Sequence, residues 1–377
     1  MSAALTGIRV LELSGLCGAY CGKLFAGLGA EVTLIEPPAG SPMRSRPPFA
    51  ADVPGANISL PFAYFAAGKS SVVLDLTSDT GRSALERLAR DADLVILSDH
   101  SQADHVDLSK LRVGKPALVC LHITPFGASG PYSDFVGDDL TLMAMGGLLT
   151  MAGFPDEPPV AAYGEQGLLA ADQFAAVAAI AAVLRAERTG DGETIDVSIQ
   201  ESIVMALENA AQTYQLEGKV RNRVAAAARA GTGIYPCRNG EVYLLAGGIG
   251  ETAMWGNFAA WMTDEKVPGA ALFASPDWSD TAPGAIEAFE RVFLPYAARC
   301  DKDALYAKGK QWGVPIAPMS TPADLLRNRQ LQHRGFFVAE SPAGVRMPGA
   351  PYKMSGTPWS LGGPAPALDR GSLKASA

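Results

Sequence analysis

The residues that could do chemistry are sparse, and their spacing carries the first argument. Gly15, Gly18 and Gly22 stand between an apolar run at 7–13 and a helical pattern. A glycine-rich turn from strand to helix can cradle a phosphate on its backbone N–H groups, or it can let the helix pack tightly on the strand. The spacing is not the G-x-G-x-x-G of dinucleotide sites, yet Glu36 ends a second apolar run where such sites hold a ribose. Arg44 and Arg46 follow in a loop that would suit either phosphates or solvent. Cys17 and Cys21 have helical spacing and would make half a metal site, but no His or Cys cluster completes it. His100, His105, His122 and His333 are scattered, with no neighbour that suggests a triad.

These groups need a scaffold, and hydrophobic periodicity outlines one. Residues 7–13 and 31–36 read as buried strands joined by a helix, which is a βαβ unit with a parallel sheet. The pattern repeats with strands at 71–76, 94–97 and 117–123 and a helix at 79–91. Long apolar helices are expected near 138–150 and 168–186, a strand at 194–198, and one helix over 199–217. The fold class is therefore α/β, with a Rossmann-like large domain over 1–217. Residues 218–330 read as a linker and a smaller α+β domain, which opens with a strand at 240–246 after an Asn-Gly turn. Residues 331–377 read as a return segment that packs on the large domain.

Bulk composition narrows the partners. A net charge of -8 disfavours nucleic acid and anionic membrane, both of which reward basic patches. An anionic ligand would then rely on a few local cations and backbone N–H groups. No signal peptide is read at the start, and no stretch reads as a membrane span, the Ala-rich 170–184 fitting a buried helix better. Five cysteines, odd in number and scattered, argue against a disulfide framework and for a reduced, cytoplasmic protein.

In chain order, several motifs resemble those of the class III (CaiB/BaiF-type) coenzyme A-transferases. They are Gly7-Ile8-Arg9-Val10-Leu11-Glu12-Leu13, Leu28-Gly29-Ala30-Glu31-Val32, Ile35-Glu36-Pro37-Pro38 and Gly68-Lys69-Ser70-Ser71. Phe126-Gly127-Ala128-Ser129-Gly130-Pro131-Tyr132, Gly137-Asp138-Asp139-Leu140, Arg188-Thr189-Gly190-Asp191-Gly192 and Gly313-Val314-Pro315 follow. The resemblance implies two interlocked subunits, as a homodimer or as a heterodimer with a paralogue. It implies CoA and acyl-CoA as substrates, with no permanently bound cofactor, and a carboxylic acid as acceptor. Succinyl-CoA is a candidate donor. CoA would lie near Gly15, Leu16, Pro37, Lys69 and Ser98, with Arg44 and Arg46 toward its phosphates. Gly231 and Gly233 fall where some members carry a glycine-rich loop over the site.

The resemblance also implies an aspartate nucleophile that attacks the thioester. Counting forward from Pro159-Val160 puts it at Leu168, and counting back from Arg185 and Arg188-Thr189-Gly190 puts it at Leu169. The nearby acidic or amide side chains are Glu165, Gln166 and Asp172. Asp172 is displaced by about one helical turn, roughly 5 Å, which is too far for a reacting atom. The family's racemases need a base at the position of Asp138 and another at the leucine, so that activity ranks low. Two readings follow: a transferase subunit that depends on an Asp-bearing partner, or a self-sufficient transferase that uses Asp172. A third is an acyl-CoA isomerase or dehydratase with other acid and base groups.

Overall fold

The computed structural model describes residues 3–50, 59–98, 103–223, 229–247, 252–275, 278–338 and 345–368. In the first part of the chain the elements are β1 (Arg9–Leu13), α1 (Ala19–Gly27), β2 (Glu31–Glu36), α2 (Leu60–Phe65), β3 (Ser70–Val73), α3 (Asp79–Asp91) and β4 (Leu94–Ser98). They continue as α4 (Leu108–Gly114), β5 (Val119–Thr124), α5 (Asp139–Met145), α6 (Gln166–Thr189), β6 (Thr194–Ser198), α7 (Ile199–Met205) and α8 (Ala210–Glu217).

The six strands form one parallel sheet in the order β3-β2-β1-β4-β5-β6. Strand side chains alternate between two apolar layers. Val10, Val32, Leu94, Ile96 and Leu121 pack with Cys21 and Phe25 of α1 and with α6. Leu11, Leu13, Ile35, Val95 and Leu97 pack with Ala84, Leu85 and Ala89 of α3 and Leu111 of α4. The chain runs outward in both directions from β1 and β4, so the carboxyl ends of those two strands border the switch point where open α/β sheets bind ligands.

α6 lies on the sheet through Ala171, Ala175, Ala179, Ala182 and Ala186, a stripe of small residues three or four apart that lets the helix come close. By length and composition this helix could cross a membrane, but that stripe belongs to the core of the parallel-sheet unit. Its opposite side is apolar as well: Phe174, Val177 and Leu184 are 47%, 68% and 49% exposed.

The chain folds as two compact units, residues 1–152, 160–221 and 330–377 in one, and 153–159 and 222–329 in the other. The second unit holds β7 (Thr232–Cys237), β8 (Gly240–Leu245), α9 (Thr252–Asp264), α10 (Ala285–Ala297), α11 (Lys302–Trp312) and β9 (Ile316–Pro318). Its three strands are antiparallel in the order β7-β8-β9. Phe258, Trp261, Phe289 and Phe293 make its core aromatic, and Gly231 packs beside Trp255 in that core. In the first unit the C-terminal segment lies against α1: Ser360 N donates to Gly27 O (3.0 Å), and a Cβ on Gly27 would sit 1.8 Å from Trp359 Nε1.

Two of the expected helices are cut short or broken, and the strand expected over 71–76 ends at Val73. The helix expected over 138–150 stops at Met145, because Gly146 and Gly147 follow and Gly147 turns left-handed (φ 81). The helix expected over 199–217 is two helices, broken where Glu208 takes a positive φ of 51. No glycine or proline marks that break, so the sequence carries no local signal for it.

A buried ion pair joins Glu12 of β1 to Lys69, the residue before β3. Lys69 Nζ meets Glu12 Oε2 at 2.6 Å and donates to Ala19 O at 2.9 Å, while Ser14 Oγ donates to Glu12 Oε1 at 2.7 Å. Gly22 makes room for it, since a Cβ there would come within 1.7 Å of Glu12 Oε2. Breaking one partner of such a buried pair costs about 3–5 kcal/mol. Gly22→Ala is therefore expected to lower unfolding free energy by at least about 3 kcal/mol in denaturant titrations, although alanine favours helix. An unchanged midpoint would show that the pair is not confined in this way.

Candidate functional site

At the switch point the turn after β1 is tied down from two sides. Ser98, the last residue of β4, donates its hydroxyl to Cys17 O (2.6 Å) and receives Gly15 N (3.4 Å). Gly18 caps α1 in a left-handed conformation (φ 88) that favours glycine. The amino end of α1 is the anion site that the glycine spacing suggests, and it is already filled. Asp172 of α6 places one carboxylate oxygen 2.7 Å from Gly18 N and the other 3.0 Å from Tyr20 N. The anion cradled there is an internal carboxylate, not a phosphate.

Asp172 is 1% exposed. Burial pushes its carboxyl up to about 7, opposed by the Gly18 and Tyr20 N–H groups and reinforced by the charge of Glu12. A group so enclosed, with both oxygens turned to the amino end of α1, has no open face toward a thioester. One turn earlier, Leu168 is buried in the core and Leu169 is half-buried. Neither leucine supplies a nucleophile.

The amino end of α6 has its own carboxylate. Asp139 Oδ1 accepts from Leu168 N at 2.9 Å, and Gly167 admits this approach, since a Cβ there would lie 2.9 Å from the same oxygen. Asp139 Oδ2 is buried with no hydrogen-bond partner among the described residues, and burial raises this carboxyl. Glu165 precedes α6 and pairs with Arg46; burial raises it and Arg46 pulls it down. Asp138 caps α5 in a reciprocal bond with Thr141, whose N–H and hydroxyl hold its carboxyl below the usual range. Gln166 bonds back to Tyr163 O.

The residues singled out for CoA fall into two groups. Gly15, Leu16 and Pro37 are half-buried at the carboxyl ends of β1 and β2, and Arg46 is exposed. Ser98, Lys69 and Arg44 are engaged internally. Lys69 is buried against Glu12, so its ammonium is not turned toward a phosphate. Arg44 donates twice to Glu36 at 2.6 Å, donates to Pro366 O and lies over the Phe62 ring at 4.1 Å. Glu36, which a dinucleotide site would turn toward a ribose, is fully buried and also accepts from Ser41 N (2.8 Å) and Ser71 Oγ. The nucleotide reading of Glu36 is thereby corrected: its oxygens are used in holding the loop after β2. His100 lies outside the described residues.

Sequence reasoning passed over Glu12, Lys23 and Asp139. A lone acid inside the apolar run 10–13 was the available signal for Glu12. Lys23 donates to Tyr64 O at 2.6 Å and stands over the Tyr64 ring at 4.1 Å, and burial, aided by Lys69, lowers it to about 7.

Comparison with known proteins gives one consistent picture. A family model described as CoA-transferase family III matches residues 5–372. The chain is similar to the succinyl-CoA:(R)-benzylsuccinate CoA-transferase subunit BbsE of Thauera aromatica, 38% identical over 371 residues, with 96% of this chain and 90% of that one covered. It is similar to a succinate–glutarate CoA-transferase of Agrobacterium fabrum, 30% identical over 385 residues, with 97% and 92% covered. A solved structure of a CAIB/BAIF family protein from Brucella suis matches with a TM-score of 0.87 at 26% identity, covering 98% of this chain and 97% of that one.

The Asp172 contact sets a pH dependence of stability. Its folded-state value, about 7, lies above the ordinary aspartate value of 3.8 that the unfolded chain returns to. The folded protein therefore holds an extra proton between these limits, and stability falls as pH rises through that window. Asp172→Asn should remove this slope, which cannot exceed about 1.4 kcal/mol per pH unit for one group. Asp172→Ala should cost about 1–3 kcal/mol for each N–H left without an acceptor. Urea unfolding of all three proteins from pH 4 to pH 8 measures both; parallel pH profiles for wild type and Asp172→Asn would remove Asp172 as the cause.

Proposed function

The chain belongs to CoA-transferase family III, and we propose that it is the subunit without a nucleophilic carboxylate in a heteromeric enzyme. That enzyme moves CoA between an acyl-CoA and a carboxylic acid. The observation that carries this reading is the state of the first turns of α6. The expected nucleophile position is leucine, and the nearest aspartate on the helix, Asp172, is sealed against α1 with both oxygens bonded. Attack on a thioester needs the carboxylate about 3–3.5 Å from the carbonyl carbon, with donors for the oxyanion in place. In this reading the partner subunit supplies that carboxylate. The name of the relative from Thauera aromatica, itself called a subunit, supports the heteromeric arrangement, and the names of both relatives support succinyl-CoA or succinate as a substrate pair.

CoA is taken to bind the parallel-sheet unit at the carboxyl ends of β1 and β2, against Gly15, Leu16 and Pro37, with the exposed Arg46 exchanging its Glu165 partner for a phosphate. Ser98, Lys69 and Arg44 act as positioning residues through the turn after β1 and the loop after β2. The unit of residues 1–152, 160–221 and 330–377 is taken as the CoA-binding domain and that of 153–159 and 222–329 as the smaller one, so that 153–159 leave the large domain expected over 1–217, and two related chains interlock in the cytoplasm. Support for a partner comes from the exposed side of α6, where Phe174, Val177 and Leu184 recur at coiled-coil-like spacing, joined in the same unit by the exposed Val204, Met205, Tyr214 and Leu216.

The chain purified alone, given succinyl-CoA and a panel of carboxylic acids, is expected to show no transfer above background. Co-purification with an Asp-bearing family member should restore turnover. Transfer by the lone chain that disappears in Asp172→Asn or Glu165→Gln would overturn the subunit reading and restore a self-sufficient enzyme.

A further inference from the structure

A cavity of about 930 Å³ opens within the second unit, large enough for a small-molecule ligand. Its wall includes Trp255 and Trp278, whose rings stack with centroids 5.3 Å apart at 8°. Phe273 meets both edge-on, at 5.6 and 5.4 Å. The wall is fixed in advance, because Trp255 Nε1 donates to Phe273 O at 3.0 Å and Trp278 N donates to Ser275 O at 3.1 Å.

Among the described residues, the charged lining consists of Asp264, Asp280 and Arg229. Arg229 faces Asp280 at 3.9 Å and offsets one carboxylate, which leaves this lining negative by one charge. Gly247 allows Asp280 this position, since a Cβ on Gly247 would lie 2.7 Å from Asp280 Oδ2. Indole faces are electron-rich and attract cations, and the exposed Asp264 carboxylate, although the Lys308 ammonium feels its charge, adds to that attraction from within the lining while repelling anions. CoA esters and carboxylic acids, all anionic, do not suit such a surface.

We propose that this cavity binds an organic cation with a flat or apolar body. The ammonium group is drawn to Asp264 and Asp280, and the body lies against the Trp255 and Trp278 wall. The site is separate in its chemistry from the CoA-transfer reading and stands whether or not that reading holds.

Three probes that share a benzyl ring but differ in charge provide the test: benzyltrimethylammonium, benzyl alcohol and phenylacetate. Each is titrated into the full-length protein and followed by intrinsic tryptophan fluorescence. The cation should give a saturable change with an apparent Kd at least about tenfold tighter than the other two, weakening as sodium chloride is raised. Asp264→Asn, at an exposed position of α9, should weaken the cation about tenfold with unchanged circular dichroism and melting temperature. Trp278→Leu should abolish the response. Equal binding of phenylacetate or benzyl alcohol, no binding of the cation, or full cation affinity in Asp264→Asn would overturn the proposal. The readout is binding and not turnover, so failure here leaves the transferase reading untouched.

Discussion

The contact between Asp172 and the amino end of α1 ties together the parts of the structure on which the candidate site rests. A helix begins with N–H groups that have no intrahelical partner, and at a switch point those groups usually face a ligand. Here a side chain from α6, 154 residues from Gly18 in sequence, accepts two of them. The contact pins α6 to α1 within one layer on the sheet and holds the turn containing Gly15 and Gly18 in place. It also occupies the space where the glycine spacing alone would put a phosphate.

Other buried charges work in the same direction. Glu12 with Lys69 and Glu36 with Arg44 each fill the region behind a strand end with an ion pair whose remaining valences are met by backbone or hydroxyl groups. Buried pairs of this kind add little net stability against apolar replacements, but losing one partner is costly. Their effect is to set the loops after β1 and β2 in one geometry. A nucleotide-like ligand would therefore meet a preformed surface of half-buried Gly15, Leu16 and Pro37, while the strongest nearby charges are directed inward.

α6 serves the sheet on one side and, in the proposed arrangement, a second subunit on the other. One side carries alanines small enough for close approach to the sheet, and the other carries exposed Phe174, Val177 and Leu184. A helix apolar on both sides does not finish its burial within one subunit. The start of the helix extends the same logic: Leu168 joins the core.

The regular part of the molecule was legible in one dimension. The alternation of apolar runs and helical patterns located all six strands of the parallel sheet, since local periodicity reports which face is buried. Ordered motifs carried the family, and counting between motif anchors put leucine where the family resemblance implies an aspartate. The partner of each polar residue, by contrast, emerged only from the folded chain. Asp172, Lys69, Arg44 and Glu36 all read as candidates for ligand contact, and each is engaged within the protein by a group that is distant in sequence or set by a loop. A carboxylate's role depends on which donors lie within about 3 Å, and a one-dimensional pattern cannot specify which N–H from residue 18 will meet an oxygen from residue 172.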